Sequence, residues 1–188
     1  MRRETLLVAA LALGLAGAAP VSGHRTELAG GPARAQEALR RHDLRTLEGR
    51  AISIAALEGE VVVINFWASW CAPCRRELPR LDAMHAAMAK QGGRVLAVSI
   101  DHEARAAERF ARKHKLSLPV CHDGPDGLAR ALDLPHVPFT IVLDRSGAIA
   151  YTTSRSDDAG LDQLDQVTRR LLAATGPVVS RGAEGGAR

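Results

Sequence analysis

One nearly continuous apolar run, residues 60–67 (EVVVINFW), constrains the fold of this chain most strongly. Val, Ile, Phe and Trp favour β structure, and the run is too short for an ordinary helix. Because it does not alternate between apolar and polar residues, it is typical of a strand covered on both faces. Such strands lie in the middle of parallel or mixed sheets, so the sequence predicts an α/β protein.

The elements predicted on either side of this run agree with that fold class. An extra hairpin precedes it, over residues 44–57. After it we expect a helix to about residue 90, a strand over 94–100, a helix over 101–115 and a strand over 118–121. A short helix to residue 132, a strand hairpin over 139–143 and 148–152, and a helix over 158–174 complete the order. Alternating strands and helices pair in parallel, and the late hairpin adds antiparallel strands. The prediction is a mixed central sheet flanked by helices, with an extra N-terminal hairpin.

The N-terminus resembles an export signal. Basic residues at positions 2 and 3 precede an apolar run over 6–19, and the small residues 16–18 within the run have the pattern of a cleavage site. The run is short for a bilayer span of about 20 residues, so residues 1–19 are predicted to be a signal peptide, with an uncleaved membrane anchor as the alternative. We expect a spacer over 20–41, a folded domain over 42–174 and a disordered tail over 175–188. Because a positive N-terminal region stays inside, the domain is expected in the periplasm or another extracytoplasmic, oxidising compartment.

The charge pattern argues against a nucleic-acid partner. The formal net charge is +4, and Lys and Arg are scattered among Asp and Glu along the predicted helices. Aromatic residues make up only 3% of the chain, so a basic stripe with interleaved aromatics is not seen. A solvated surface of mixed charge is therefore expected.

Two cysteines, Cys71 and Cys74, lie where the apolar strand ends and a helix begins. The helix N-terminus favours a thiolate, and such sites lower a cysteine pKa from ~8.5 to ~3.5–7.5. Cys71, at the end of the helix, is the predicted attacking thiolate, and Cys74, one turn further in, the resolving thiol. A structural zinc site would need four ligands, and the other cysteine, Cys121, has only His122 beside it. A purely structural disulfide is the other alternative, and a redox pair is favoured because of the strand–helix context.

Residues 61–78 (VVVINFWASWCAPCRREL) resemble the active-site segment of the thioredoxin superfamily, and they are most similar to its exported TlpA/ResA-like, cytochrome c biogenesis branch. The similarity extends over residues 42–174 and implies a thioredoxin fold. It also implies that Pro138 is cis, that its loop faces the cysteines, and that the backbone at Val137 pairs with a substrate strand. Trp70 is expected to shield the sulfurs and to contact partners, together with Ala72 and Pro73 between the cysteines.

Glu77 matches an acidic residue that the ResA-like branch carries beneath the cysteines, where it is implicated in proton handling. A buried carboxylate has a raised pKa and can relay a proton. The alternative is a solvated glutamate in the first turns of the helix. Classical thioredoxin has a buried aspartate where this chain has Asn65, so Glu77 is the nearby proton acceptor that remains.

The resemblance implies a protein-disulfide reductase of the cell envelope, with the Cys71–Cys74 pair as its redox centre and with no metal or organic cofactor. Expected clients are protein thiols and disulfides such as those of apocytochrome c or a copper-site assembly protein. A membrane thiol-transporting reductase is the expected electron donor. A disulfide-forming oxidase or isomerase, a copper metallochaperone and a peroxidase are the alternatives. Cys121 is interpreted as a buried small apolar residue or else as a regulatory or metal-binding thiol.

Overall fold

A computed structural model describes residue 28 and residues 30–174 of the chain. The predicted signal peptide or anchor over 1–19 and the predicted tail over 175–188 lie outside the described residues. Within the described part, none of the helices combines the length and the apolar character needed to cross a membrane.

Five strands form the central sheet in the order β5-β4-β3-β6-β7. Their bounds are β3 Val61–Trp67, β4 Gly93–Ser99, β5 Val120–His122, β6 Phe139–Leu143 and β7 Ile149–Thr153. The β3–β4 and β4–β5 pairs are parallel, whereas β6 is antiparallel to β3 and to β7. A separate antiparallel hairpin is formed by β1 Asp43–Arg45 and β2 Ala51–Ser53. The predicted mixed sheet and the extra hairpin are therefore confirmed.

Helices cover both faces of the sheet. They are α1 Gly31–Arg41, α2 Ala72–Ala89, α3 Ala104–His114, α4 Leu128–Ala131 and α5 Asp158–Ala173, with one 3₁₀ turn at Ala55–Leu57. Buried residues of α2, α3 and α5 form one core with Val61, Val63 and Trp67 of β3. Buried residues of α1 and α4 form the other core with Ile64 and Phe66. Successive side chains of a strand point to opposite faces, so a strand covered on both sides must be apolar at nearly every position.

The predicted spacer over residues 20–41 is wrong for residues 31–41, which form α1. Ala35 and Leu39 are spaced by one helical turn, and they are only 3% and 0% exposed because they pack into the second core. Gln36 also donates to the carbonyl oxygen of Gly147 at 2.6 Å and accepts from the backbone N–H of Ile149 at 2.9 Å. The Gly-, Pro- and Arg-rich composition led to the prediction of a spacer, because the two apolar residues that face the core are few and become buried only against the sheet.

Candidate active site at the Cys71–Cys74 pair

The turn between β3 and α2 places Cys71 at the mouth of the helix. The backbone N–H of Cys71 donates to the carbonyl oxygen of Ala68 at 3.1 Å, and Cys71 is the N-cap residue of α2. Its sulfur accepts a hydrogen bond from the backbone N–H of Cys74 at 3.2 Å. Pro73 lies in the first turn, where a missing N–H costs nothing. The helix N-terminus favours negative charge at this sulfur, as the sequence predicts.

Cys71 and Cys74 form a disulfide, and their Cα atoms are 5.3 Å apart. Cys71 is 5% exposed and Cys74 is fully buried. The difference agrees with the expected order, in which an incoming thiol or disulfide reaches Cys71 first. Cys71 is nevertheless more covered than its place at the end of the helix suggests. Ala72 beside it is exposed, and Pro73 is half-buried.

The loop before β6 lies at the same edge of the sheet as the cysteines. The peptide bond between Val137 and Pro138 is cis, as the family resemblance implies. The position follows from the strand register, because Phe139 of β6 pairs with Phe66 near the end of β3. Val137 is half-buried, and Pro138 is buried.

A groove of about 440 Å³ runs beside this edge. Trp70, Ile100, Leu134 and Val137 contribute apolar parts of its lining, and His136 lines it as well. Trp70 is 65% exposed, which is unusual for a large apolar side chain. The structure therefore brings two of the four expected substrate-contact residues, Trp70 and Val137, to one concave surface, whereas Ala72 and Pro73 do not line it.

Glu77 is buried rather than solvated. It is 2% exposed, and its Oε1 accepts a hydrogen bond from Nδ2 of Asn65 at 2.8 Å. The same Asn65 nitrogen donates to Oγ1 of Thr140 at 3.0 Å. Loss of solvent raises the pKa of Glu77 from 4.5 to about 7, and the hydrogen bond from Asn65 opposes part of that rise. A carboxyl group that takes up and releases protons near neutral pH thus lies one turn beyond Cys74.

Asp101 is a buried polar residue at this edge that sequence reasoning missed. It lies two residues after the end of β4 and is 2% exposed. Its carboxylate accepts hydrogen bonds from the backbone N–H and the hydroxyl of Ser69, two residues before Cys71, and from the hydroxyl of Ser99. The available signal was its position, because side chains that follow neighbouring parallel strands meet at one edge of a sheet.

Cys121 is fully buried on β5, and burial raises the pKa of its thiol to about 12. The thiol is therefore protonated at neutral pH and packs as a small apolar group, in agreement with the first of its two interpretations. Among the residues that the structure describes, no group of three or more His, Cys, Asp or Glu side chains is arranged to hold a metal ion.

Comparison with known proteins agrees with this geometry. The profile of the AhpC/TSA family matches residues 35–152, which is more than half of the chain. The chain belongs to the AhpC/TSA family. The match begins inside α1 and therefore includes residues 35–41 of that helix.

Curated relatives of this AhpC/TSA-family chain carry the name thiol-disulfide oxidoreductase ResA. The protein from Geobacillus thermodenitrificans is 33% identical over 106 residues, which cover 56% of this chain and 61% of the relative. The protein from Halalkalibacterium halodurans is 32% identical over 117 residues, which cover 62% of this chain and 66% of the relative. The chain thus matches between three fifths and two thirds of the length of these relatives.

A solved structure of a thiol-disulfide isomerase is similar to this chain in fold and in sequence. The crystal structure of a secreted thiol-disulfide isomerase from Corynebacterium glutamicum superimposes with a TM-score of 0.62 at 29% identity, covering 70% of this chain and 83% of that chain. The thioredoxin fold and the resemblance to ResA-like proteins are therefore confirmed.

Proposed function

We propose that this chain is a thiol–disulfide oxidoreductase of the cell envelope that reduces disulfides in client proteins. The observation that supports this most directly is the position of the Cys71 sulfur. It caps α2, it accepts the N–H of Cys74, and it is bonded to the sulfur of Cys74. That arrangement stabilises a thiolate on the more accessible cysteine and places a second thiol within reach to complete the exchange.

The reaction is an exchange between the reduced Cys71/Cys74 dithiol and a disulfide of the client. The Cys71 thiolate attacks one sulfur of the client disulfide, forms a mixed disulfide and releases the other client sulfur as a thiolate. The Cys74 thiolate then attacks the Cys71 sulfur, which releases the second client sulfur and closes the Cys71–Cys74 bond. Two electrons pass to the client, and the two protons that the cysteines lose are balanced by the two that the client thiols gain. A membrane thiol-transporting reductase restores the dithiol by the same exchange in reverse.

Glu77 supplies a proton acceptor for the second step. Cys74 is fully buried, so its thiol has no direct access to solvent that could accept the proton. Glu77 is buried on the same helix, one turn further along, and its pKa of about 7 makes the carboxylate a base of suitable strength near neutral pH.

The groove supplies a place for the client chain. An extended segment on either side of a client cysteine can lay an apolar residue against Trp70 and Val137. Its backbone can pair with the chain at Val137, beside the sulfurs. Ala72 and Pro73 lie between the two cysteines and complete the contact surface. We assign reduction, rather than oxidation, from the similarity to ResA-named proteins, and we expect clients such as apocytochrome c or a copper-site assembly protein.

The location in the cell envelope rests on two observations. Residues 1–19 have the pattern of an export signal or membrane anchor, and the Corynebacterium glutamicum structure is that of a secreted protein. An oxidising compartment is also where client disulfides persist long enough to need a reductant.

Trapping of clients tests the proposal. In Cys74→Ser the mixed disulfide on Cys71 cannot be resolved, so client proteins should remain attached and can be identified by mass spectrometry after non-reducing electrophoresis. Cys71→Ser is the matched control, and it should capture none of them because the attacking sulfur is absent.

The reduction potential decides the direction of electron flow. Equilibration with a glutathione or dithiothreitol buffer should give a value below about −180 mV for a reductant, whereas a value near about −120 mV would indicate an oxidase. A metallochaperone would give two different results. The unmodified protein would retain one equivalent of copper through gel filtration, and the Cys74→Ser variant would capture no client.

A further inference from the structure

Asp101 joins two parts of the sheet edge that carry the candidate site. It follows β4, and its carboxylate reaches across to the turn between β3 and α2. Both of its oxygens accept from the backbone N–H of Ser69, at 3.1 and 3.0 Å, and one accepts from the Ser69 hydroxyl at 2.8 Å. The turn that presents Trp70 and Cys71 is therefore held to the end of β4 by one buried side chain.

The carboxylate is itself held firmly. The Ser99 hydroxyl donates to its second oxygen at 2.9 Å and accepts from the backbone N–H of Asp101 at 3.1 Å. The carbonyl oxygen of Asp101 is 2.8 Å from Nε2 of His122 on β5. Asp101 is only 2% exposed and Ser99 is fully buried, so these two side chains have little contact with water, whereas Ser69 and His122 are half-buried. Hydrogen bonds to a buried charged group are among the stronger ones in proteins.

Two residues that line the groove are neighbours of this connection in the chain. Ile100, immediately before Asp101, and Trp70, immediately after Ser69, both line it. The same turn includes the bond from Cys71 N–H to Ala68, which brings the Cys71 sulfur to the end of α2. A change in the turn would therefore alter both the alignment of the sulfur with the helix and the shape of the groove.

We propose that Asp101 is a positioning residue for the exchange reaction: it holds the Ser69–Cys71 turn so that the Cys71 sulfur stays at the N-terminus of α2 and Trp70 stays against the groove. This inference rests on the proposed function and adds a residue to it. Asp101 acts through hydrogen bonds and not through its charge, since a negative charge near Cys71 would oppose formation of the thiolate.

Two substitutions of Asp101 distinguish the effect of its hydrogen bonds from the effect of its charge. Asp101→Asn removes the charge but keeps an oxygen for Ser69 and gains a donor for the Ser99 hydroxyl. Asp101→Ala removes both the charge and the hydrogen bonds. We expect the alanine variant to raise the pKa of the Cys71 thiol by about one unit. At a pH below both pKa values this lowers the thiolate fraction about tenfold and the rate of alkylation by iodoacetamide about threefold, because a more basic thiolate is more nucleophilic. The asparagine variant should alkylate within about twofold of the unmodified protein.

A similar bond pattern elsewhere in the chain gives the control. Asp144, in the turn between β6 and β7, accepts from the backbone N–H of Ser146 at 2.8 Å and from its hydroxyl at 2.6 Å. That turn lies at the opposite end of the sheet from Pro138. Asp144→Ala should lower the free energy of unfolding without changing the alkylation rate of Cys71.

The measurement is the pH profile of Cys71 alkylation in the reduced full chain, together with the rate of insulin disulfide reduction. If Asp101→Ala does not fold, Ser69→Ala replaces it: it removes one of the bonds and should shift the profile in the same direction by a smaller amount. Two results would overturn the positioning role. In one, the pKa of the Cys71 thiol falls in both Asp101 variants; in the other, it stays unchanged in Asp101→Ala and in Ser69→Ala. In either outcome the unmodified protein still reduces insulin. Failure of the proposed function is a different result, in which the unmodified protein neither reduces insulin nor has a Cys71 thiol more acidic than free cysteine.

Discussion

Replacement of Glu77 by glutamine should change how the stability of the protein depends on pH. Burial raises the pKa of Glu77 from 4.5 to about 7, so the folded chain holds this proton more tightly than the unfolded chain does. The stability that the proton contributes is complete below about pH 4.5 and is lost as the pH rises toward and through about 7. Glutamine has the same shape, keeps an oxygen for the Nδ2 donor of Asn65 and cannot ionise.

The size of the effect follows from the two pKa values. A gap of roughly 2.5 units at ~1.4 kcal/mol per unit corresponds to about 3 kcal/mol. Glu77 is 2% exposed, so screening by water reduces this little. The free energy of unfolding of Glu77→Gln, minus that of the unmodified protein, should therefore rise by about 3 kcal/mol between about pH 4 and about pH 8.

Urea unfolding of the oxidised proteins, at several pH values across that range, measures the difference. All other titrating groups contribute equally to both proteins, so subtraction isolates Glu77. Glu103→Gln replaces an exposed carboxylate before α3 and is the matched control, because that side chain is not removed from water as Glu77 is. A difference for Glu77→Gln that does not rise with pH, or that rises no more than the difference for Glu103→Gln, would refute the argument that burial raises the pKa of Glu77.

Three further expectations concern other parts of the molecule. Trp70→Ala should raise KM for insulin reduction by about fivefold, because an exposed apolar contact for the client is lost. The free energy of unfolding of this variant should stay within about 0.5 kcal/mol of that of the unmodified protein. A larger fall in stability would mean that the Trp70 side chain belongs to the core. Iodoacetamide at about pH 8 should label reduced Cys71 but not Cys121 in the folded protein, since burial raises the pKa of the Cys121 thiol to about 12. Mass spectrometry of peptides identifies the labelled cysteine, and in urea both thiols should be labelled. Leu39→Ala should cost about 2–5 kcal/mol of unfolding free energy, because Leu39 is fully buried; a negligible cost would mean that α1 is only loosely attached.

The elements of the sheet could be predicted because their signals are local. Residues 139–143 were expected as a strand and form β6, Phe139–Leu143. The strand over 60–67 was expected within one residue of its observed start, and the helix that follows it was expected to end near residue 90 and ends at Ala89. In each case the pattern of apolar residues, with a proline or glycine at the boundary, is enough to set the local backbone.

The segment over 31–41 could not be assigned in the same way. Its composition resembles a linker, and an isolated helix of this length is marginal in water. It forms α1 because Ala35 and Leu39 are buried in the second core. Those contacts come from residues far away in the sequence, so no short window contains the signal.

In the candidate site, too, the features that the sequence predicts are local and those that it does not predict depend on distant residues. The chain order of strand, turn, Cys71, Pro73 and Cys74 places a sulfur at a helix N-terminus through contacts among neighbouring residues, and the amino-acid sequence was sufficient to predict this. Whether Glu77 is charged at neutral pH, and whether Asp101 reaches Ser69, depend on which distant chain segments exclude water and which ends of strands meet. Those contacts arise only when the sheet assembles, because desolvation and hydrogen bonding act between residues that are close in space and not along the chain.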